Sequence, residues 1–148
     1  MIVSRVPYPL EKGDKLRAYH QIKYLSKNHE VILVALNDKK LHPQAKQKLE
    51  EYCSSVHVFS ISFFSILINV FFAFFKGKPL QVGYFFNSSV KKKINNLVKH
   101  FKPDHIYCQL IRTSEYAKDL ELLKTLDYQD ALSKGVERRI KNAGFLKK

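Results

Sequence analysis

The run EVILVAL at residues 30–36 constrains the fold more than any other part of this sequence. After Glu30 it is a continuous stretch of aliphatic and β-branched residues, which is typical of a strand buried on both faces. Strands of this kind belong to parallel sheets, whose two faces are covered by helices. The chain must therefore supply further strands beside this run and helices above and below it.

Other segments meet this requirement in alternating order. Predicted strands cover residues 2–6, 55–61, 103–110 and 124–128, and predicted helices cover residues 13–27, 43–53, 88–101 and 114–122. The alternation predicts an α/β fold, a Rossmann-like parallel sheet with right-handed crossovers and helices on both faces. At 148 residues the chain is long enough for one domain, covering 1–148, with a basic helical segment at 131–148.

Ligands of such sheets bind at the carboxyl ends of the strands, where loops and helix N-termini meet. The loops predicted at that edge are 7–14, 37–42, 109–114 and 127–135.

A net charge of +13 indicates an anionic partner, such as nucleic acid, an acidic membrane surface or a phosphorylated small molecule. A basic surface without a partner is the other interpretation. Basic residues are scattered over 15–27, 91–102 and 134–148 instead of forming one stripe with interleaved aromatics, which disfavours nucleic acid.

The loop VPYPLEKGDKLR at residues 6–17 is the first candidate site. Gly13 has no Cβ and begins a helix whose backbone N–H groups can receive an anion, and Lys15 and Arg17 add positive charge. The glycine pattern matches neither a dinucleotide fingerprint nor a Walker loop, and an ordinary turn between strand and helix is the alternative.

Three charged residues lie at or just beyond the ends of later predicted strands. Arg112 could hold a phosphate or carboxylate with its planar guanidinium, or it could be an exposed residue at a helix start. Asp127 and Asp130 could orient sugar hydroxyls or act as a catalytic base, although Asp130 is equally typical of a turn or a helix cap.

The most apolar window is FSISFFSILINVFFAFF at residues 59–75. It is shorter than the roughly 20 residues of a transmembrane helix. A core helix and a membrane-docking helix both remain open, with Ile66, Val70 and Phe74 facing the core. The residues that would contact the membrane surface are Phe71, Phe72, Phe75, Lys76 and Lys78.

Metal and disulfide chemistry are not predicted. The six histidines have no metal-ligand spacing, and Cys53 and Cys108 form no CxxC motif. Reduced cysteines and the lack of a secretory signal predict a cytoplasmic chain, peripheral at the inner face of the plasma membrane if the apolar window docks there.

Four stretches in this order resemble bacterial family-four glycosyltransferases of the GT-B fold. They are residues 4–36 (SRVPYPLEKGDKLRAYHQIKYLSKNHEVILVAL), GKPLQVGYF at 77–85, DHIYCQLIRTSEYA at 104–117 and LDYQDALSKGVERR at 126–139. The resemblance covers nearly the whole chain and lies closest to the sugar-transferase branch of that family.

The resemblance implies an N-terminal, acceptor-side domain that faces a donor-side domain across a cleft. It places Gly13 in the first glycine loop near the donor diphosphate, Arg17 on the following helix, and Arg112 at the arginine after the fifth strand. Asp127 falls where many relatives of that family carry a histidine. Because Asp and His differ in charge and hydrogen-bond donor ability, the resemblance does not assign the catalytic role of that histidine to Asp127. The implied donor is a nucleotide-sugar and the implied acceptor a polysaccharide or lipid-linked sugar, with no other cofactor.

Nothing in the sequence resembles the donor-side domain of that family, so a separate donor domain is an expected partner. The alternative function is a non-catalytic basic α/β module that binds nucleic acid or an anionic membrane surface.

We predict negligible turnover when the purified 148-residue chain is incubated with nucleotide-sugars. Half of a cleft can bind an acceptor, but it cannot stabilise the transition state at a bound donor. Release of free nucleotide, followed by chromatography, measures this, and measurable turnover by the chain alone would contradict it.

Overall fold

A computed structural model describes residues 1–75, 77 and 80–128. Within these residues the strands are Ile2–Val3 (β1), Ile32–Asn37 (β2), Ser55–Ser60 (β3), His105–Gln109 (β4) and Leu123–Asp127 (β5). The helices are Gly13–Leu25 (α1), Ala45–Glu50 (α2), Phe63–Phe75 (α3), Leu80–Phe85 (α4), Ser88–Phe101 (α5) and Ser114–Ala117 (α6), with a 3₁₀ turn at Ile111–Thr113. The basic segment predicted at 131–148 lies outside the described residues.

The five strands form one parallel sheet in the order β3-β2-β1-β4-β5. This confirms the predicted α/β, Rossmann-like fold with helices on both faces. The strand order reverses direction between β1 and β4, because the chain moves from β1 outward to β3 and then returns to the other side of β1.

Burial along β2 shows why the run at 30–36 is apolar throughout. Leu33 and Ala35 pack into one core with residues of α1 and α2, whereas Val34 and Leu36 pack into a second core with residues of α3 to α6. Successive side chains of a strand point to opposite faces, so a strand covered on both faces needs apolar residues at every position.

Helix α5 is capped by the residue that precedes it. Asn87 is the N-cap residue, and its side-chain oxygen accepts a hydrogen bond from the backbone N–H of Val90. Val90 and Ile94 are buried. Lys92 and Lys93 are exposed, whereas Lys91 forms an ion pair with Asp119.

Helix α4 was not predicted, since its sequence LQVGYF is short and contains a glycine. It crosses α3 closely at that glycine. A Cβ built on Gly83 would lie 2.6 Å from the Cβ of Ala73 and 3.0 Å from the backbone oxygen of Asn69. The absence of a side chain at position 83 therefore allows the two helices to approach each other.

The apolar window at 59–75 divides into the end of a strand and a helix, with β3 ending at Ser60 and α3 beginning at Phe63. Ile66 is buried and Val70 packs against the core, whereas Phe64, Phe71, Phe72 and Phe75 are exposed. No helix among the described residues is long and apolar enough to cross a membrane.

We predict that Gly83→Ala lowers the free energy of unfolding by about 1–3 kcal/mol. Helix propensity alone would favour alanine by about 1 kcal/mol, so a loss of stability would show that the contact with Ala73 decides the sign. Urea denaturation followed by circular dichroism measures the change.

Gly13→Ala is the matched control, because a Cβ at Gly13 would have nothing within 4 Å. Its stability should stay within about 0.5 kcal/mol of the wild type. Equal effects of the two substitutions would contradict the close crossing of α3 and α4.

Candidate anion-binding site at the carboxyl edge of the sheet

The candidate site lies at the carboxyl edge of the sheet, next to the point where the strand order reverses between β1 and β4. Loops leave both strands there, and α1 begins directly above them at Gly13. Parallel sheets bind ligands at such reversal points, because the two loops diverge and leave a crevice between them.

The Asp14 carboxylate joins the two loops across this crevice. Its Oδ2 lies 2.6 Å from Nη1 of Arg5, which follows β1, and 3.7 Å from Nη1 of Arg112, which follows β4. The backbone oxygen of Asp14 also accepts a hydrogen bond of 2.9 Å from Nε2 of Gln109. One residue in the first turn of α1 therefore positions two guanidinium groups.

The ring of Phe85 lies beneath both guanidinium groups. The Cζ atoms of Arg5 and Arg112 are 5.5 and 5.3 Å from the ring centroid, respectively. Cation–π contact with a buried ring adds to the attraction by Asp14 and restricts both arginine side chains. The arginines are thus held in place by residues from α1 and α4 together.

A cavity of about 460 Å³ opens beside Arg5, between the loops that follow β1 and β2. The charged side chains that line it are Arg5, Lys12, Lys15, Lys39 and Lys40, with Glu11 and Asp38. Glu11 accepts a hydrogen bond from Lys15 and Asp38 accepts one from Tyr84, each of 2.9 Å. Five cationic groups against two carboxylates make this cavity suitable for an anionic ligand.

The residues predicted as a site in the loop 6–17 lie in different places. Lys15 lines the cavity, and its ammonium group lowers the pKa of Glu11 by donating a hydrogen bond to it. Gly13 lies at the start of α1 with open space where a side chain would be. Arg17 points away from the cavity, toward β5.

Asp127, at the end of β5, accepts hydrogen bonds from three side chains. The donors are Nη2 of Arg17 at 3.0 Å, Nε2 of Gln21 at 2.9 Å and the hydroxyl group of Tyr107 at 2.8 Å. Gln21 also donates to the Tyr107 hydroxyl oxygen at 2.9 Å. Its donors come from α1 and β4, so the place of Asp127 in the structure is that of an anchor between α1 and the sheet.

The environment of Tyr107 raises the pKa of its hydroxyl group to about 12. Burial is the largest cause, followed by the hydrogen bond to Asp127 and the negative charge of that carboxylate. Tyr107 therefore acts as a hydrogen-bond donor, and it is not poised to lose a proton near neutral pH.

A larger cavity, of about 680 Å³, lies at the opposite, amino edge of the sheet, near Leu25, Ile32, Phe101 and His105. The C-terminal ends of α1 and α5 meet there, and helix C-termini carry partial negative charge. Because the N-terminal end of α1 and five cationic side chains lie at the smaller cavity, we assign the candidate site to it.

Several further sequence predictions can be located. Arg112 lies at the reversal point, whereas Asp130, Lys76 and Lys78 fall outside the described residues. Among the residues that the structure describes, no cluster of three His, Cys, Asp or Glu side chains is arranged to bind a metal. Cys53 and Cys108 are free and buried, and burial raises the pKa of both thiols, to about 11 for Cys53, so neither is an activated nucleophile.

Comparisons with protein-family models, curated proteins and solved structures found no match to this chain. The glycosyltransferase resemblance therefore stays a prediction.

Sequence reasoning missed Arg5, Asp14, Lys39 and Lys40 as site residues. Arg5 was placed inside a predicted strand at 2–6, although the observed strand ends at Val3. Lys39 and Lys40 lie in the loop 37–42, which is predicted at the ligand-binding edge. Two adjacent lysines just after a buried strand were the signal that could have identified them as site residues. Nothing in the sequence pairs Asp14 with Arg112, which is 98 positions away.

We predict that Tyr107→Phe reduces the loss of stability between pH 10 and pH 12. Since the folded-state pKa of about 12 lies above the ordinary value of 10, the unfolded chain releases this proton first. The contribution of Tyr107 is thus complete below pH 10 and is lost as the pH rises toward 12. Urea denaturation across this range measures the slope.

Tyr24→Phe is the control for the titration of other groups, because the Tyr24 side chain is 69% exposed. If the free energy of unfolding falls with pH at the same slope in the wild type and both variants, Tyr107 does not have the raised pKa that its burial and hydrogen bond imply.

Proposed function

We propose that this chain is the acceptor-side domain of a GT-B glycosyltransferase. Together with a donor-side domain, it transfers a sugar from a nucleotide-sugar to a lipid-linked or polysaccharide acceptor. The observation that carries the proposal is the basic cavity at the carboxyl edge, beside the point where the strand order reverses. This is the edge at which a parallel sheet of this kind receives its ligand.

The charge of the cavity favours an acceptor that carries phosphate. A lipid-linked sugar is attached through a phosphate or diphosphate, and Lys39 and Lys40 lie at the cavity with exposed side chains. Lys12 precedes the first turn of α1, whose N-terminal end adds partial positive charge. These groups would hold the phosphate of the acceptor while its sugar extends toward the donor side.

The arginines at the reversal point have a different role in this proposal. Arg5 and Arg112 are fixed by Asp14 and by the ring of Phe85 before any ligand arrives. Preorganised guanidinium groups can attract negative charge without a further ordering cost. In the closed cleft they would face the diphosphate of the donor. Asp127 would act indirectly, by holding Arg17 and α1 in position.

We predict that Lys39→Glu/Lys40→Glu weakens binding of a short-chain prenyl diphosphate at least tenfold. Two charges that attract the phosphate groups are replaced by two that repel them, and tenfold corresponds to about 1.4 kcal/mol. Isothermal titration calorimetry at fixed salt measures the change.

Lys92→Glu/Lys99→Glu is the matched control, since it makes the same change of net charge on exposed residues of α5, away from the cavity. Equal weakening by both double variants would indicate a general charge effect and contradict a site at the cavity. Tight binding of duplex DNA, lost in both variants, would favour the nucleic-acid module instead.

Transfer itself is tested in the cell that encodes the chain. Replacing Lys39 and Lys40 by Glu there should lower the incorporation of labelled sugar into the lipid-extractable fraction. An unchanged glycan profile, with the variant chain present at wild-type amounts, would overturn the transferase proposal.

A further inference from the structure

Helix α3 exposes an unusually apolar face. Its exposed residues among those described are Phe63, Phe64, Leu67, Ile68, Phe71, Phe72 and Phe75, and each is more than half exposed. They recur at spacings of three and four, so they form one continuous stripe along the helix. A contiguous apolar surface of this size usually marks a contact site.

The opposite face of α3 is firmly attached to the rest of the protein. Ile66 and Ala73 are buried, and Nδ2 of Asn69 donates a hydrogen bond of 2.6 Å to the backbone oxygen of Phe86. The side chain of Asn87 donates a further hydrogen bond of 2.9 Å to Oγ of Ser65. The exposed stripe therefore cannot turn inward without breaking these contacts.

The residue types of the stripe favour contact with lipid hydrocarbon chains. Every exposed residue among those described in α3 is Phe, Leu or Ile, so the stripe offers no side-chain hydrogen-bonding group. Protein interfaces contain about one hydrogen bond per 100–200 Å², and they combine Phe with Tyr, Trp and Arg, which supply polar groups. A lipid bilayer makes no such demand, because its acyl region contains no polar partner.

The charge along the sequence around α3 favours an anionic surface. Lys76 and Lys78 follow α3 directly, and residues 52–103, which contain α3, include no aspartate or glutamate. Each lysine near an anionic membrane surface adds to binding, and an acid-free stretch avoids the opposing repulsion.

We propose that α3 docks this protein on an anionic phospholipid bilayer, lying in the plane of the interface. Thirteen helical residues extend over about 20 Å, which is too short for the roughly 30 Å hydrocarbon core, so the helix lies along the surface. The apolar stripe enters the boundary between headgroups and acyl chains, and the lysines contact anionic headgroups.

This inference goes beyond the proposed function, and it stands or falls independently of sugar transfer. The proposed docking helix is also connected to the basic cavity. Helix α4, which follows α3, places Phe85 under the arginines and Tyr84 against Asp38, which lines the cavity. The docked surface and the candidate site are thus connected through one short helix.

A single tryptophan can report docking, since the natural sequence contains none. We expect the emission of Phe71→Trp to shift to shorter wavelength on addition of phosphatidylcholine vesicles containing phosphatidylglycerol, and to be quenched by brominated acyl chains. Leu123→Trp, at an exposed residue of β5, should show neither effect.

Flotation of the natural sequence supplies the second measurement. Phe71→Glu should lower the partition coefficient on phosphatidylglycerol-containing vesicles about tenfold or more, since it removes a large apolar contact and adds repulsion. Leu123→Glu, which makes the same charge change on an exposed apolar residue, should partition as the wild type does.

Three results would overturn the proposal. The first is equal partitioning of the wild type and Phe71→Glu, and the second is equal binding to vesicles with and without phosphatidylglycerol. The third is a dimer in sedimentation without lipid that Phe71→Glu dissociates, together with no vesicle binding, which would assign the stripe to a second copy of this chain.

Discussion

The two halves of the sheet are joined through a strand of only two residues, Ile2–Val3. On one side this strand pairs with β2 and on the other with β4. A short ladder of backbone hydrogen bonds therefore connects the β2–β3 half of the sheet with the β4–β5 half. So brief a ladder supplies few hydrogen bonds, and side-chain contacts must hold the seam together. Helix α1 makes part of those contacts, because it reaches both β4 and β5. The apolar core that contains Ile2, Val34 and Cys108 supplies the rest.

The contacts of α1 across the seam are polar. Gln21 and Arg17 reach Tyr107 and Asp127, and Asp14 reaches the arginines after β1 and β4. Partly buried hydrogen bonds contribute about 1 kcal/mol each, and more where one partner is charged. Polar contacts also require defined geometry, whereas an apolar seam would tolerate sliding. The same residues that align the two halves of the sheet therefore fix the groups at its carboxyl edge.

Local sequence patterns predicted most of the fold. A continuous apolar run located β2, an alternating pattern located β3, and helical spacing located α1 and α5. The alternation of strands and helices predicted the parallel sheet. The short helix α4 could not be predicted, since Gly83 argues against a helix locally and is required only by its contact with Ala73. The sequence predicted which edge of the sheet carries the site, but not which side chains contact one another there. The bond between Arg17 and Asp127 joins residues 110 positions apart, which no local pattern encodes.

The close crossing at Gly83 packs α3 directly against α4. Tyr84 and Phe85 tie the second helix of the pair to the loop after β2 and to the arginines of the crevice. Helix α3 is therefore connected to the cavity through α4. If α3 docks on a bilayer as we propose, its orientation in the interface sets the direction in which the mouth of the cavity faces.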